Sequence, residues 1–531
     1  MTTKQLKAAL LSVLAVTNGC IISGRIRALR AATEPVISLT ADATGVYSVR
    51  AFGAKGDGTT LDTSAINHAI EVAAAGGGGT VRFPAGTYLC RSIHLKSNIT
   101  LYLDPGATIL AAPTPSDGQG GYDAAEPNAW DKYQDFGHSH WHNSLIWGED
   151  IQNVSIFGPG LIYGKGLTRG RGATDPGVGN KSISLKNCRN ITLRDFSILQ
   201  GGHFGVLATG VDNLTLDNLK IDTNRDGMDI DCCRNVRIAN CSVNSPWDDG
   251  ICLKSSFGLG VALATEDVTI TNCQVTGYDT GTFLDGTFQV KGDKLPDGAP
   301  TGRIKFGTES NGGFKNITIS NCIFTHCRGL ALETVDGGLL EDVTITNITM
   351  RDIMNSPIFL RLGSRMRGPA GAAVGALRRV TLSNIVVYNA DPRYSSIISG
   401  IPGHDIEDVR LNNIRIYYQG GGTKQQALLT PPEEEKTYPE PKMFGVMPAY
   451  GFFLRHVQGI EMSNVEVSHL KEDARPAFVL SDVKGADFQH LKAQHDPGVS
   501  TFALQNVEDF TISQTRAVPD TRLERVEHKE F

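Results

Sequence analysis

This chain has no stripe of Lys and Arg, no CxxC pair and no apolar run long enough to span a bilayer. Each absence closes a class. Its 50 basic residues are outnumbered by 56 acidic ones, and without a basic stripe nucleic-acid binding has no support. The ten cysteines lack paired CxxC spacing, and Cys232 and Cys233 are adjacent, which argues against a zinc site. Cys188, Cys241, Cys273 and Cys322 each follow an asparagine and read as small buried hydrophobes. The pattern allows disulfides without demanding them. The apolar run Ala8–Val16 is too short for a transmembrane span. It follows Lys4 and Lys7 and precedes small residues and Cys20, as an export signal does. Residues 1–33 are therefore expected to be signal peptide and linker of a secreted or periplasmic protein. Thr17-Asn18-Gly19-Cys20 makes only a weak lipoprotein box.

What the chain does have is a pair of turn residues five apart, repeated. It reads Asn153–Gly158, Asn213–Asn218, Asn235–Asn240, Asp267–Asn272, Asn316–Asn321, Asp342–Asn347, Arg379–Asn384, Asp408–Asn413 and Gly459–Asn464. Short alternating runs lie between and after the members, as in Leu-Thr-Leu and Val-Thr-Ile. Such runs read as strands. Asn and Asp at the turns tolerate left-handed torsions and hydrogen-bond locally. No unit can bury its apolar face alone, so the units must stack. The fold class expected is all-β, a single-stranded parallel β-helix. Coils of about 22 to 32 residues fit the solenoid range. The longer gaps, Asp267–Asn316 and Asp408–Gly459, are expected to throw loops off the coil. Residues 34–531 form one expected domain, with an insertion at about 420–450 rich in Pro, Glu and Gly. Thr63–Ala75 reads as a short helix that caps the first coil and protects its strand edge.

Acids gather on two successive coils, Asn224-Arg-Asp-Gly-Met-Asp-Ile and Trp247-Asp-Asp-Gly-Ile-Cys-Leu-Lys. Asp226 follows Asn213 by the interval at which Asp248 follows Asn235, so the two are expected at equivalent places on neighbouring coils. Stacked strands lie about 4.8 Å apart. Asp226, Asp248 and Asp249 cannot all ionise freely at such range, and one should keep its proton near neutrality. A protonated acid beside ionised bases suits glycosidic cleavage. Calcium binding and plain strand ends are the competing readings.

At these residues the chain resembles the polygalacturonase-type glycoside hydrolases of family twenty-eight, which are right-handed parallel β-helices. Phe52-Gly-Ala-Lys-Gly-Asp-Gly and Phe83-Pro-Ala-Gly-Thr-Tyr resemble that family's opening. Asn224-Arg-Asp-Gly is similar to its Asn-Thr-Asp-Gly motif, and Trp247-Asp-Asp-Gly to its Asp-Asp motif. The resemblance implies metal-free inverting hydrolysis without a cofactor. Asp248 would be general acid, with Asp226 and Asp249 activating water. Inverting enzymes hold acid and base roughly 6.5–9.5 Å apart.

Two family motifs are missing. The Gly-His-Gly stretch reads Thr301-Gly302-Arg303-Ile304-Lys305-Phe306-Gly307-Thr308-Glu309 here. The Arg-Ile-Lys stretch has Ala331 and Glu333 where the two cations belong. Arg303 and Lys305 match that motif by letter, one coil too early. A uronate carboxylate at the cleaved bond would lose charge-assisted contacts worth on the order of 1.5–3 kcal/mol each. Arg303, Lys305, Lys254 and Arg361 are candidates for a relocated carboxylate site, with Arg365 and Arg367 beside them. Glu309 and Glu333 would accept sugar hydroxyls or serve as buried partners of nearby Arg. Trp247 and Phe257 are candidate sugar platforms, and His203 a candidate for orienting substrate. The expected partner is an acidic, pectic or rhamnogalacturonan-type polysaccharide or oligosaccharide, bound by a monomer. A calcium-assisted lyase using Lys254 or Lys305 as base, and a non-catalytic carbohydrate-binding solenoid, are the alternatives.

Overall fold

Left-handed backbone at fixed intervals bends this chain into coils. All eighteen members of the nine turn pairs have positive φ, from 51° at Asp408 to 107° at Gly158. Asparagine suits this region because its short amide bonds locally. The amides also bond from coil to coil: Asn190 Nδ2 donates to Asn153 Oδ1 at 2.9 Å, and Asn213 Nδ2 to Asn190 Oδ1 at 2.9 Å. A second ladder runs through Asn218 to Asp195 at 2.9 Å and Asn413 to Asn384 at 2.8 Å.

The computed structural model describes residues 45–135, 137–170, 172–290, 298–516 and 518–531. The expected signal and linker, 1–33, lie outside them. One coil runs through the strands Phe204–Thr209, Asp212–Asp217 and Lys220–Asp222, and the next begins at Asp226–Asp231. Each strand pairs in parallel with its counterpart one coil on. The result is a right-handed parallel β-helix, the hand that parallel crossovers take. Inward residues stack in columns. One holds Val154, Ile191, Leu214, Val236, Val268, Ile317, Val343, Val380, Val409 and Ile460 in successive register, all buried. Each such side chain contributes about 1.5–3 kcal/mol by leaving water. The nine described cysteines are buried and free.

Both ends are closed. The helix Thr63–Ala75 forms as expected and turns Ile66, Ala69, Ile70 and Ala73 inward. At the other end Thr521–Glu530 runs antiparallel to Phe502–Ser513. The two long gaps leave the coil: the described residues 277–290 and 298–303 lie between the strands Gln274–Thr276 and Ile304–Ser310, and residues 421–451 lie between Ile406–Gly420 and Phe452–Lys471. Among the described residues no helix is long and apolar enough to cross a membrane.

Candidate active site

The acids sit where one face of the helix gains an extra residue. Lys220–Asp222 pairs with Ser242–Asn244 at an offset of 22, but Met228 pairs with Ile251 at an offset of 23. The additional residue lies in the turn before Ile251. This corrects the equivalence expected from sequence: Asp249, not Asp248, is the neighbour of Asp226 in register, and the Gly227 amide donates to the Asp249 carbonyl at 3.0 Å. Asp248 is thrust outward by the turn and keeps 25% of its side chain exposed, whereas Asp249 is buried. Two adjacent acids thereby face different surroundings. The close approach needs glycine, since a Cβ at Gly227 would sit 2.4 Å from the Gly250 carbonyl oxygen.

Asp226, Asp248 and Asp249 each place an oxygen within 4.8 Å of the others. Strict alternation would send Asp226 inward with Met228. Instead Asp226 and Asp229 both stand outside the core, within 4.8 Å of a His138 nitrogen. Burial, with Asp229 and Asp248 close by, pushes the Asp226 carboxyl well above the usual carboxylate range. Asp249 is the opposite case. Burial would raise it, but Lys305 and Arg303 hold it well below that range. Arg303 Nε bonds its Oδ1 at 2.8 Å, and Lys305 Nζ lies 3.4 Å from Oδ2. Asp248 is paired with Arg225 at 2.9 Å. Arg225 also donates to His203 Nε2 at 3.3 Å. Burial and the Arg225 charge hold His203 well below its ordinary value, so the ring is neutral and can accept that bond.

The expected cationic contacts are largely withdrawn from solvent. Arg303 and Lys305 are 2% and 1% exposed. Arg303 lies between Asp249 and Glu440, and Arg328 joins Glu440 at 3.1 Å. Lys305 lies between Asp249 and Glu333, 3.6 Å from the latter, and meets the Tyr438 hydroxyl at 3.2 Å. Burial raises Glu333 to about 7 against the pull of Lys305 and Arg303. Lys254 bonds Glu309 at 3.1 Å, and Arg367 joins Glu309 from the other side. Glu309 is thus a buried ion-pair partner, the second of its two expected roles. Arg361 lies away from this floor. It is buried beneath the insertion and donates to Gly400, Glu433 and Glu434 carbonyls. Phe257 packs edge-on against Trp130 and Tyr133. Trp247 does lie at the mouth, half-buried next to Asp248, with the Arg169 guanidinium 4.9 Å from its ring centre.

Several site residues escaped the sequence reading. Tyr438 and Glu440 belong to the insertion, which carries no periodicity to place it. His138 comes from the irregular segment between Ala112 and Leu145 and bonds Asp229 at 3.1 Å. The run His138-Ser-His-Trp-His inside that segment was the available signal. Asp229 and Arg225 stood within the quoted motif without an assigned role.

Comparison with known proteins follows this geometry. A family model described as rhamnogalacturonase A/epimerase, pectate lyase-like, matches residues 46–279. A probable polygalacturonase of Vitis vinifera is 24% identical over 447 residues, 77% of this chain and 81% of that protein. An exo-poly-α-D-galacturonosidase of Dickeya chrysanthemi is 29% identical over 229 residues, 41% of this chain and 35% of that longer protein. The family 28 exopolygalacturonase of Yersinia enterocolitica superposes with a TM-score of 0.62 at 20% identity, covering 83% of this chain and 78% of its own. The chain has the pectin-lyase-like fold. Polygalacturonases are among its relatives, and they support a glycoside hydrolase.

Proposed function

We propose that the protein hydrolyses O-glycosidic bonds in an acidic, pectic-type polysaccharide or oligosaccharide by general acid–base catalysis, with Asp226, Asp248 and Asp249 as the reacting groups. One observation carries this reading: three carboxylates whose oxygens lie within 4.8 Å of one another stand in contrasting electrostatic settings. Asp226 holds a proton and Asp249 stays ionised. Asp249 takes a proton from water as its oxygen attacks the anomeric carbon. The bond to the glycosidic oxygen breaks, and that oxygen receives a proton from Asp248. Asp226, which the family resemblance casts as a second water-activating base, instead has its carboxyl raised by burial within 4.8 Å of Asp248, and it replenishes the proton that Asp248 delivers. The nearest-oxygen separation, within 4.8 Å, is shorter than the roughly 6.5–9.5 Å general for inverting enzymes. Inversion therefore rests on the family resemblance alone.

A lyase reading has less support. Lys254 and Lys305 would have to abstract a proton. Despite burial, Glu309 and Asp229 hold Lys254, and Asp249 and Glu333 hold Lys305, well above the ordinary lysine range. Both are fully protonated and unfit as bases. The test is a panel of pectic polysaccharides with and without chelator, followed by new reducing ends, ultraviolet absorbance and the anomer first released. Chelator-resistant reducing ends, no absorbing product and an inverted anomer are expected. An unsaturated, absorbing product would overturn the hydrolase, and a retained anomer the inverting course.

A further inference from the structure

We propose that His138 is a positioning residue for the acid step: by binding Asp229 it places the negative charge of the Asp226–Asp229 pair on Asp229 and leaves the proton on Asp226. This rests on the hydrolase reading above. His138 comes from the irregular segment between Ala112 and Leu145, not from a coil strand, yet it is fixed at both ring nitrogens. Nδ1 lies 3.1 Å from the Asp135 carbonyl oxygen, and Nε2 lies 3.1 Å from Asp229 Oδ2. A carbonyl only accepts, so Nδ1 carries a hydrogen. Phe204 packs edge-on against the imidazole, with ring centres 4.6 Å apart. Asp135 is itself tied to Arg367 at 2.6 Å, which anchors the segment to later coils.

An oxygen of Asp226 and one of Asp229 lie within 4.8 Å of each other and of a His138 nitrogen. Both acids are buried. Two carboxyls so placed do not both ionise freely, so one keeps its proton. Their partners decide which. Asp229 Oδ2 has the His138 bond and the Lys254 ammonium at 3.8 Å. Asp226 has His203 Nε2 at 3.9 Å, on a neutral ring whose lone pair already accepts from Arg225. Lys254 and Arg225 also draw Asp226 toward its charged form, but burial, Asp229 and Asp248 outweigh them. The charge therefore settles on Asp229. Burial and Lys254 would lower the imidazole, and Glu309 with Asp229 hold it above its ordinary value, so His138 donates from both nitrogens as a cation. Asp231, the remaining acid of the strand, is occupied by the Ser256 amide and hydroxyl at 2.7 and 2.6 Å.

The test follows kcat and KM across pH on one pectic oligosaccharide, and guanidinium unfolding over the same range. Asp229→Asn keeps the shape and removes the charge, so Asp226 should ionise more readily. The alkaline limb of kcat should move down by about one pH unit or more, while the acid limb set by Asp249 stays. His138→Ala releases Asp229 to take the proton. Its kcat should fall by about tenfold or more, since each unit of relative proton affinity is a factor of ten, with KM little changed. His138→Gln, which returns an N–H without the charge, should recover part of the loss. Unfolding needs no turnover. Asp226 and His138 are both held above their ordinary values, so each loses stability as pH climbs from about 3.9 and about 6.5 toward the folded values. Asp229→Asn should therefore shrink the fall in unfolding midpoint between about pH 5 and pH 8. An alkaline limb unmoved in Asp229→Asn overturns the inference. So does a His138→Ala protein that only raises KM and unfolds earlier, with both limbs of kcat in place. If His138→Ala does not fold, Asp229→Asn decides. A wild type that cleaves no pectic oligosaccharide, with the midpoint fall shrunk as expected, overturns the hydrolase reading and leaves the charge assignment standing. A fall that does not shrink overturns the assignment itself.

Discussion

Replacing Arg303 by methionine removes a guanidinium that serves two buried carboxylates at once. Its Nε lies 2.8 Å from Asp249, and its other end is bonded to Glu440. Methionine roughly preserves the stem and restores neither bond. Breaking a buried pair from one side costs about 3–5 kcal/mol. Lys305 remains 3.4 Å from Asp249 and Arg328 3.1 Å from Glu440, so the low end, about 3 kcal/mol, is expected. The loss depends on pH with a defined sign. Both carboxyls are held low in the folded protein, so they contribute stability above the unfolded value of about 3.9–4.3 and lose it as pH falls through the folded values. The variant should thus be much weaker than wild type at pH 7, and the gap should shrink in strong acid. Guanidinium unfolding, followed by tryptophan fluorescence across pH, measures this. Activity supplies a second readout. Losing one charge-assisted bond of about 1.5–3 kcal/mol moves the ionisation of Asp249 up by about 1–2 pH units, and with it the acid limb of kcat. An unchanged unfolding midpoint at pH 7 together with an unmoved acid limb would refute the argument that Arg303 keeps Asp249 charged.

Asp226 should behave in the opposite sense. Its carboxyl is raised by burial beside Asp229 and Asp248, so the folded protein loses stability as pH climbs from about 3.9 toward the folded value. Asp226→Asn escapes that loss and should unfold at higher denaturant than wild type at pH 8, while losing activity. Asn213→Ala breaks two ladder bonds, to Asn190 and from Asn235, and leaves alanine at φ 58°; the torsion alone should cost about 1–2 kcal/mol by unfolding, without changing KM. His203→Ala removes the neutral acceptor that steadies Arg225, so KM should rise more than kcat falls, and His203→Gln should recover part of the loss.

The coil was legible because its turns demand a torsion that few residues tolerate. Asn and Asp at five-residue spacing are the trace of that demand; Asn190–Asp195 carries the same signal and was passed over, while Gly485–His490 and Asp509–Gln514 escaped because other residues fill a member of the pair, all of them left-handed. The acids were legible because glycine flanks them where neighbouring coils touch. Their relative placement was not. One extra residue in the turn before Ile251 shifts the register, and no local preference signals it. Arg303 and Lys305 were visible as cations, but whether they face sugar or protein depends on Glu440 and Tyr438. Those two reach the site from an excursion between residues 421 and 451, where neither period nor turn chemistry fixes position.

Asp248→Asn measured against wild type on one acidic pectic polysaccharide tests the mechanism most directly. Asparagine keeps the shape but cannot deliver a proton. With the fold and substrate binding preserved, release of reducing ends should fall by roughly 10²–10⁴-fold, the usual worth of a positioned acid. A variant that binds and still releases them at the wild-type rate would contradict the account.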